Sequence, residues 1–145
     1  MKMQIQIDNY TSLKFLIYKN YPWKDTPVDN RWCQLIISVE NKEFSYHLDT
    51  EGILEDEICI LLRYFRQTLQ GDIPDIITYE LIDSYLRFTF YPVDSHLPQL
   101  FDIEFVIFHD NKPSSDYYNL CIYDKKDLKK FIEYFKSIDA RPYHS

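Results

Sequence analysis

The residues best placed to do chemistry in this 145-residue chain are His47 and Asp49, with Gln34 nearby. They fall two apart in an alternating stretch, so on a strand their side chains share one face at about 7 Å spacing. An imidazole oriented by a carboxylate is the arrangement of a general base. Polar residues recurring at every second position are also what a water-facing strand requires. A small hydrolase using His47 and Asp49 is therefore kept as the last of three readings.

The other constellations carry less. Asp94-Ser95-His96 contains the residue types of a hydrolytic triad, but triad members converge from separate elements so that the base lies between the other two. No Gly-x-Ser-x-Gly turn exists to expose a serine. His109-Asp110 reads as turn chemistry at a strand end, and His144 stands one residue from the end of the sequence. Cys33, Cys59 and Cys121 are odd in number and widely spaced, against both a disulfide framework and a zinc site. They read as small core hydrophobes among apolar neighbours. Only two glycines are present, Gly52 and Gly71, and a phosphate-cradling loop needs several close together. Nucleotide-dependent catalysis is excluded, and neither cofactor nor metal is expected.

Charge and hydropathy narrow the partners. Sixteen Lys and Arg against 23 Asp and Glu leave a net charge of −7, opposite to the basic face that binds nucleic acid. No apolar run approaches the ~20 residues of a membrane span. The stretch from Met1 to Asp8 lacks the apolar core of a signal peptide, so a soluble protein of a reducing cytoplasm is expected. Carboxylates recur at positions expected to be exposed: Asp49, Glu51, Glu55, Asp56 and Glu57 in one run, then Asp102 and Glu104 on the wet face of a strand. Aromatic residues accompany them, namely Trp32, Tyr21 with Trp23, and Tyr117 with Tyr118. Aromatic anchors among charges are the composition of a protein-binding patch that steers a basic partner, and equally that of an ordinary solvated acidic surface with its aromatics folded over sheet edges.

Two segments have helical period. Leu54, Ile58, Leu61, Leu62, Phe65 and Leu69 make one apolar stripe over residues 54–70, with acids in the first turn, Arg66 in the last and Gly71 as its C′ residue. From Asp124 as N-cap, Leu128, Phe131, Ile132, Phe135 and Ile138 make a second stripe that ends before Pro142. Nearly everything else alternates with period two. Residues 32–39 and 43–49 flank Asn41-Lys42, and a two-residue turn there pairs residue i with 83 − i, setting Val39 opposite Phe44 and Ile37 opposite Tyr46. A second hairpin around Asp83-Ser84 pairs i with 167 − i, placing Glu80 opposite Arg87 and Thr78 opposite Thr89. Further strands are expected at 3–7, 13–18, 101–108 and 118–123, with loops at 21–28, 92–99 and 112–116. The expectation is one α+β domain over residues 1–145: an antiparallel sheet of about six to eight strands, one central amphipathic helix packed on it, and a C-terminal helix.

Asp29-Asn30-Arg31-Trp32 leads into an alternating strand, a hairpin runs into the first helix, and Tyr79-Glu80-Leu81-Ile82 is followed by Leu86-Arg87-Phe88. This arrangement resembles the WapI-type immunity proteins that accompany bacterial polymorphic toxins, over residues 10–110. The resemblance implies a small cytoplasmic, non-enzymatic protein that holds a cognate toxin domain, often a nuclease, in an inactive complex. Trp32, Asp49, Glu80, Asp102 and Glu104 are then the expected partner contacts, on a monomer or weak homodimer that binds neither nucleic acid nor membrane. The second reading is a structural or adaptor domain acting by homo-oligomerisation.

Overall fold

The computed structural model describes residues 2–19, 31–43 and 45–139. Tyr21, Trp23, Asp29, Asn30, Phe44, Pro142 and His144 therefore lie outside the described residues. The class is α+β, but the expected single sheet with one central helix is corrected. The eight described strands form two separate four-stranded antiparallel sheets, ordered β1-β2-β3-β4 and β5-β6-β7-β8. The chain divides into two compact units, residues 1–62 with 130–145, and residues 63–129. Each sheet is a meander in which strands pair only with their neighbours in sequence, so the helix between the fourth and fifth strands ends one sheet and the next begins afresh.

The first unit carries β1 (Met3–Gln6), β2 (Ser12–Lys19), β3 (Trp32–Glu40) and β4 (Ser45–Leu54). Between β1 and β2, Asp8 Oδ1 accepts the backbone N–H groups of Tyr10 and Thr11 at 2.7 and 2.8 Å. These bonds favour the anion and hold the Asp8 carboxyl below its usual pKa. Leu13, Phe15, Ile17, Cys33, Leu35, Ile37 and Val39 project to one fully buried face. The half of α2 (Lys125–Asp139) within this unit packs there, with the Phe131 and Phe135 rings 6.1 and 6.0 Å from that of Phe15. Tyr134 Oη accepts the Ile17 backbone N–H at 2.8 Å.

The β3–β4 hairpin keeps its expected faces but not its expected register. Residues pair as i with 85 − i, so Val39 faces Tyr46 and Ile37 faces Leu48. The turn is two residues longer than expected, and Asn41 Oδ1 accepts the Glu43 N–H at 2.8 Å within it. A shift of two preserves which side chains point inward, so hydrophobic patterning alone cannot detect it. Near the other end, a bulge between Cys33 and Gln34 leaves Gly52 unpaired. A Cβ on Gly52 would lie 3.0 Å from Thr50 Cγ2 and 3.2 Å from Leu35 Cδ2, a tight fit in which those side chains would have to yield by a few tenths of an ångström.

Helix α1 (Glu55–Gln70) follows β4 without a loop. Its start is held from inside, because buried Glu57 accepts the Leu54 backbone N–H through Oε1 at 3.0 Å, the returning half of a capping box. Arg31 supports the same end, its carbonyl accepting the Glu55 N–H at 2.9 Å and its guanidinium lying 3.4 Å from the Glu55 carboxylate. At the far end Gly71 adopts φ +76°, donating to the Thr68 carbonyl while Asp72 donates to that of Gln67. That is a Schellman motif, which places Gly71 at C′ as its sequence position implied. No basic residue occupies the last turn, so Arg66 sits earlier in the helix than expected.

The second unit carries β5 (Ile77–Glu80), β6 (Leu86–Phe90), β7 (Phe101–His109) and β8 (Lys112–Ile122). The β5–β6 register is the expected i with 167 − i, including Thr78 opposite Thr89 and Glu80 opposite Arg87. Phe88, Phe90, Phe101, Ile103 and Phe105 form the buried face, and Phe65 of α1 meets Phe88, Phe90 and Phe101 at 6.0, 5.6 and 5.2 Å. Residues 112–116, expected as a loop, belong to β8. Asp110 and Asn111 take φ +53° and +63°, the left-handed pair of a tight hairpin turn, and Pro113 is tolerated because β8 ends the sheet. Asp124 caps α2 as expected, its Oδ1 accepting the Lys126 N–H at 2.8 Å.

Candidate functional site

The outer faces of the two sheets carry the polar residues singled out by sequence, and each belongs to its own unit. On the first sheet, register aligns Leu16, Ile36 and Asp49 in one row, Tyr18, Gln34 and Glu51 in the next, and Lys14, Ser38 and His47 in a third. Trp32 lies at the start of β3 and is half-buried. Asp49 is exposed and accepts a hydrogen bond from Gln34 Nε2 at 2.5 Å. His47 Nδ1 lies 3.0 Å from Ser38 Oγ. The geometry thus pairs imidazole with hydroxyl and carboxylate with amide, where a serine nucleophile would need the carboxylate to orient its base. His47 and Asp49 share a face as expected, but the contact that a general base requires goes to other partners.

On the second sheet, Glu80, Asp102 and Glu104 share the outer face of β5 to β7. Arg87 pairs with Glu104, and its guanidinium lies 4.8 Å from the centre of the Tyr117 ring. The Glu104 hydrogen bond raises the Arg87 pKa above its ordinary value, with the Glu104 charge and those of Tyr117 and Glu80 adding to it. The expected exposure of Asp102 is corrected: it is 6% exposed, covered although it points outward. Its Oδ2 accepts the Tyr91 hydroxyl at 2.5 Å, while Oδ1 is buried without a hydrogen-bond partner among the described residues. Burial first, and then the Asp102 carboxylate, push the Tyr91 phenol up to about 12. The Cys121 thiol is likewise raised, mainly by burial and then by Asp102.

Tyr91 is the residue that sequence reasoning missed. It follows β6, and only the pairing of Phe90 with Phe101 brings its hydroxyl over Asp102. Leu16 and Tyr18 were missed on the first sheet for the same reason, since β2 carries no polar motif and its outward residues gain meaning from Ile36 and Gln34 beside them. Cys59, expected in the core, is exposed on α1, one position past the buried stripe residue Ile58. Asp94 and His96 are exposed, and Ser95 closes a turn through its N–H to the Pro92 carbonyl at 3.1 Å. That loop lines a cleft of 280 Å³ with the end of α1 and Lys125.

Among the described residues no group of three or more His, Cys, Asp or Glu side chains is gathered as a metal ion would require. No described helix is long and apolar enough to cross a membrane. No curated protein and no solved structure matches the chain. A family model does: that of the immunity protein WapI-like family, over residues 4–141. The match extends through the second helix, beyond residues 10–110 that carry the resemblance, and the chain belongs to the WapI-like family of immunity proteins.

Proposed function

We propose that this protein neutralises a cognate toxin domain by direct, non-enzymatic binding through an acidic surface that carries aromatic anchors. Family membership over residues 4–141 is the observation that supports this reading. The physics agrees with it. A toxin that handles phosphates presents a basic cleft, and a domain of net charge −7 is drawn to such a cleft and associates quickly. Such a protein works beside its toxin in the cytoplasm and needs neither cofactor nor metal.

Of the residues proposed as contacts, Trp32, Asp49 and Glu80 are accessible in whole or in part, and Glu104 is tied to Arg87. Asp102, beneath Tyr91, supports the second sheet's face from below. The test is co-expression of the chain with the toxin domain encoded beside it. Rescue of growth together with a stoichiometric complex on gel filtration is expected. Normal toxicity in the presence of the folded chain overturns the reading.

A further inference from the structure

We infer that the outer face of the first sheet is the docking surface, and that its occupant is a basic protein surface that places an apolar patch on Leu16 and Ile36 and cationic side chains against β4. The inference rests on the immunity reading and gives that reading its location. Leu16 and Ile36 sit side by side in register, half-buried on the face opposite the Phe15 core, with Tyr18 in the adjoining row at 39% exposure. An aliphatic centre with aromatic flanks inside a polar rim is how binding energy is concentrated in an interface.

The rim decides the partner's charge. Glu40, Asp49 and Glu51 are exposed on this face, and among the described residues none of them forms an ion pair. Lys14 stands in the row of Ser38 and His47, next to that of Asp49, and the rows of Asp49 and Glu51 themselves pair these carboxylates with Ile36 and Gln34. The second sheet contrasts with this, because Glu104 is already neutralised by Arg87 and Tyr117 lies under the same guanidinium. A second copy of this chain is disfavoured as occupant, since it would bring the same carboxylates against one another.

The test measures binding to a catalytically inactivated form of the toxin domain encoded beside the chain, by titration calorimetry. Asp49→Lys with Glu51→Lys is expected to weaken the complex by about 100-fold, and Ile36→Arg by at least as much. Asp94→Lys with Asp116→Lys, both exposed and neither among the proposed contacts, alters the charge equally in the unit of the second sheet and is expected to change affinity less than about threefold. Asp49 and Glu51 are exposed, so the first pair leaves the core intact, and thermal melts confirm that each variant folds. If the first-sheet variants bind as the wild type does, or the pair in the second unit weakens binding as much, the face is wrong while the immunity reading stands. If the wild-type chain does not bind, both fall.

Discussion

Tyr91 and Asp102 show how one side chain makes another's position tenable. A buried carboxylate needs donors, and the Tyr91 hydroxyl supplies one to Oδ2. Tyr91→Phe removes that donor and is expected to lower unfolding free energy by about 1–3 kcal/mol at neutral pH, measured by denaturant titration. The same pair predicts a response to alkali. A tyrosine whose folded pKa is raised to about 12 contributes stability that is fully present below its unfolded pKa near 10 and is lost as pH rises through about 12. Tyr46, raised to about 12 by burial, acts in the same direction. Wild-type stability should therefore fall between about pH 10 and pH 12, and Tyr91→Phe should make that fall shallower without abolishing it. An unchanged slope would mean that Tyr91 titrates alike in both states. The sequence placed Asp102 on the right face of its strand. It could not show the cover, because that comes from a loop residue carried over the strand by cross-strand pairing.

At the scale of elements, the ends of the helices were legible because local chemistry governs them. Gly71 stood after the last apolar position of its stripe, and the structure uses it at φ +76°. Gly71→Ala is expected to cost about 1–2 kcal/mol, since the left-handed conformation crowds a Cβ against the carbonyl. The added Cβ would also lie 2.9 Å from Val93 Cγ2. A second variant, Val93→Ala, relieves that contact but not the backbone strain, so the double variant should recover part of the loss and not all of it. Asp124→Ala should cost about 0.5–2 kcal/mol by freeing the first-turn amide of Lys126, read as a lowered melting midpoint. Hairpin register was harder. The β5–β6 register was legible, whereas the β3–β4 register moved by two because the turn at Asn41 is longer and its side chain bonds back to Glu43.

For the whole molecule, a net charge of −7 and family membership bear on the same behaviour. If a basic toxin is the partner, association should slow as ionic strength rises, because salt shortens the range of steering to about 8 Å at physiological concentration. Stopped-flow association rates should fall by at least about tenfold between low and high salt, with dissociation changing far less. A rate indifferent to salt would place the binding energy in apolar contacts alone. The expected single sheet failed at this scale. Alternation identifies strands and their faces, but it does not say which strands share a sheet.

The residue order by itself determined both helices and their capped ends, most of the strands though not the first half of β8, and which side of those strands turns inward. Each of these follows from periods of two and 3.6 and from caps that bond within a few residues. Tertiary structure decided the division into two four-stranded sheets, the cover over Asp102, and the partners of His47 and Asp49. Those outcomes depend on groups brought together from distant parts of the chain. A short-range pattern is the same whichever distant strand lies alongside, so only the folded arrangement selects among them.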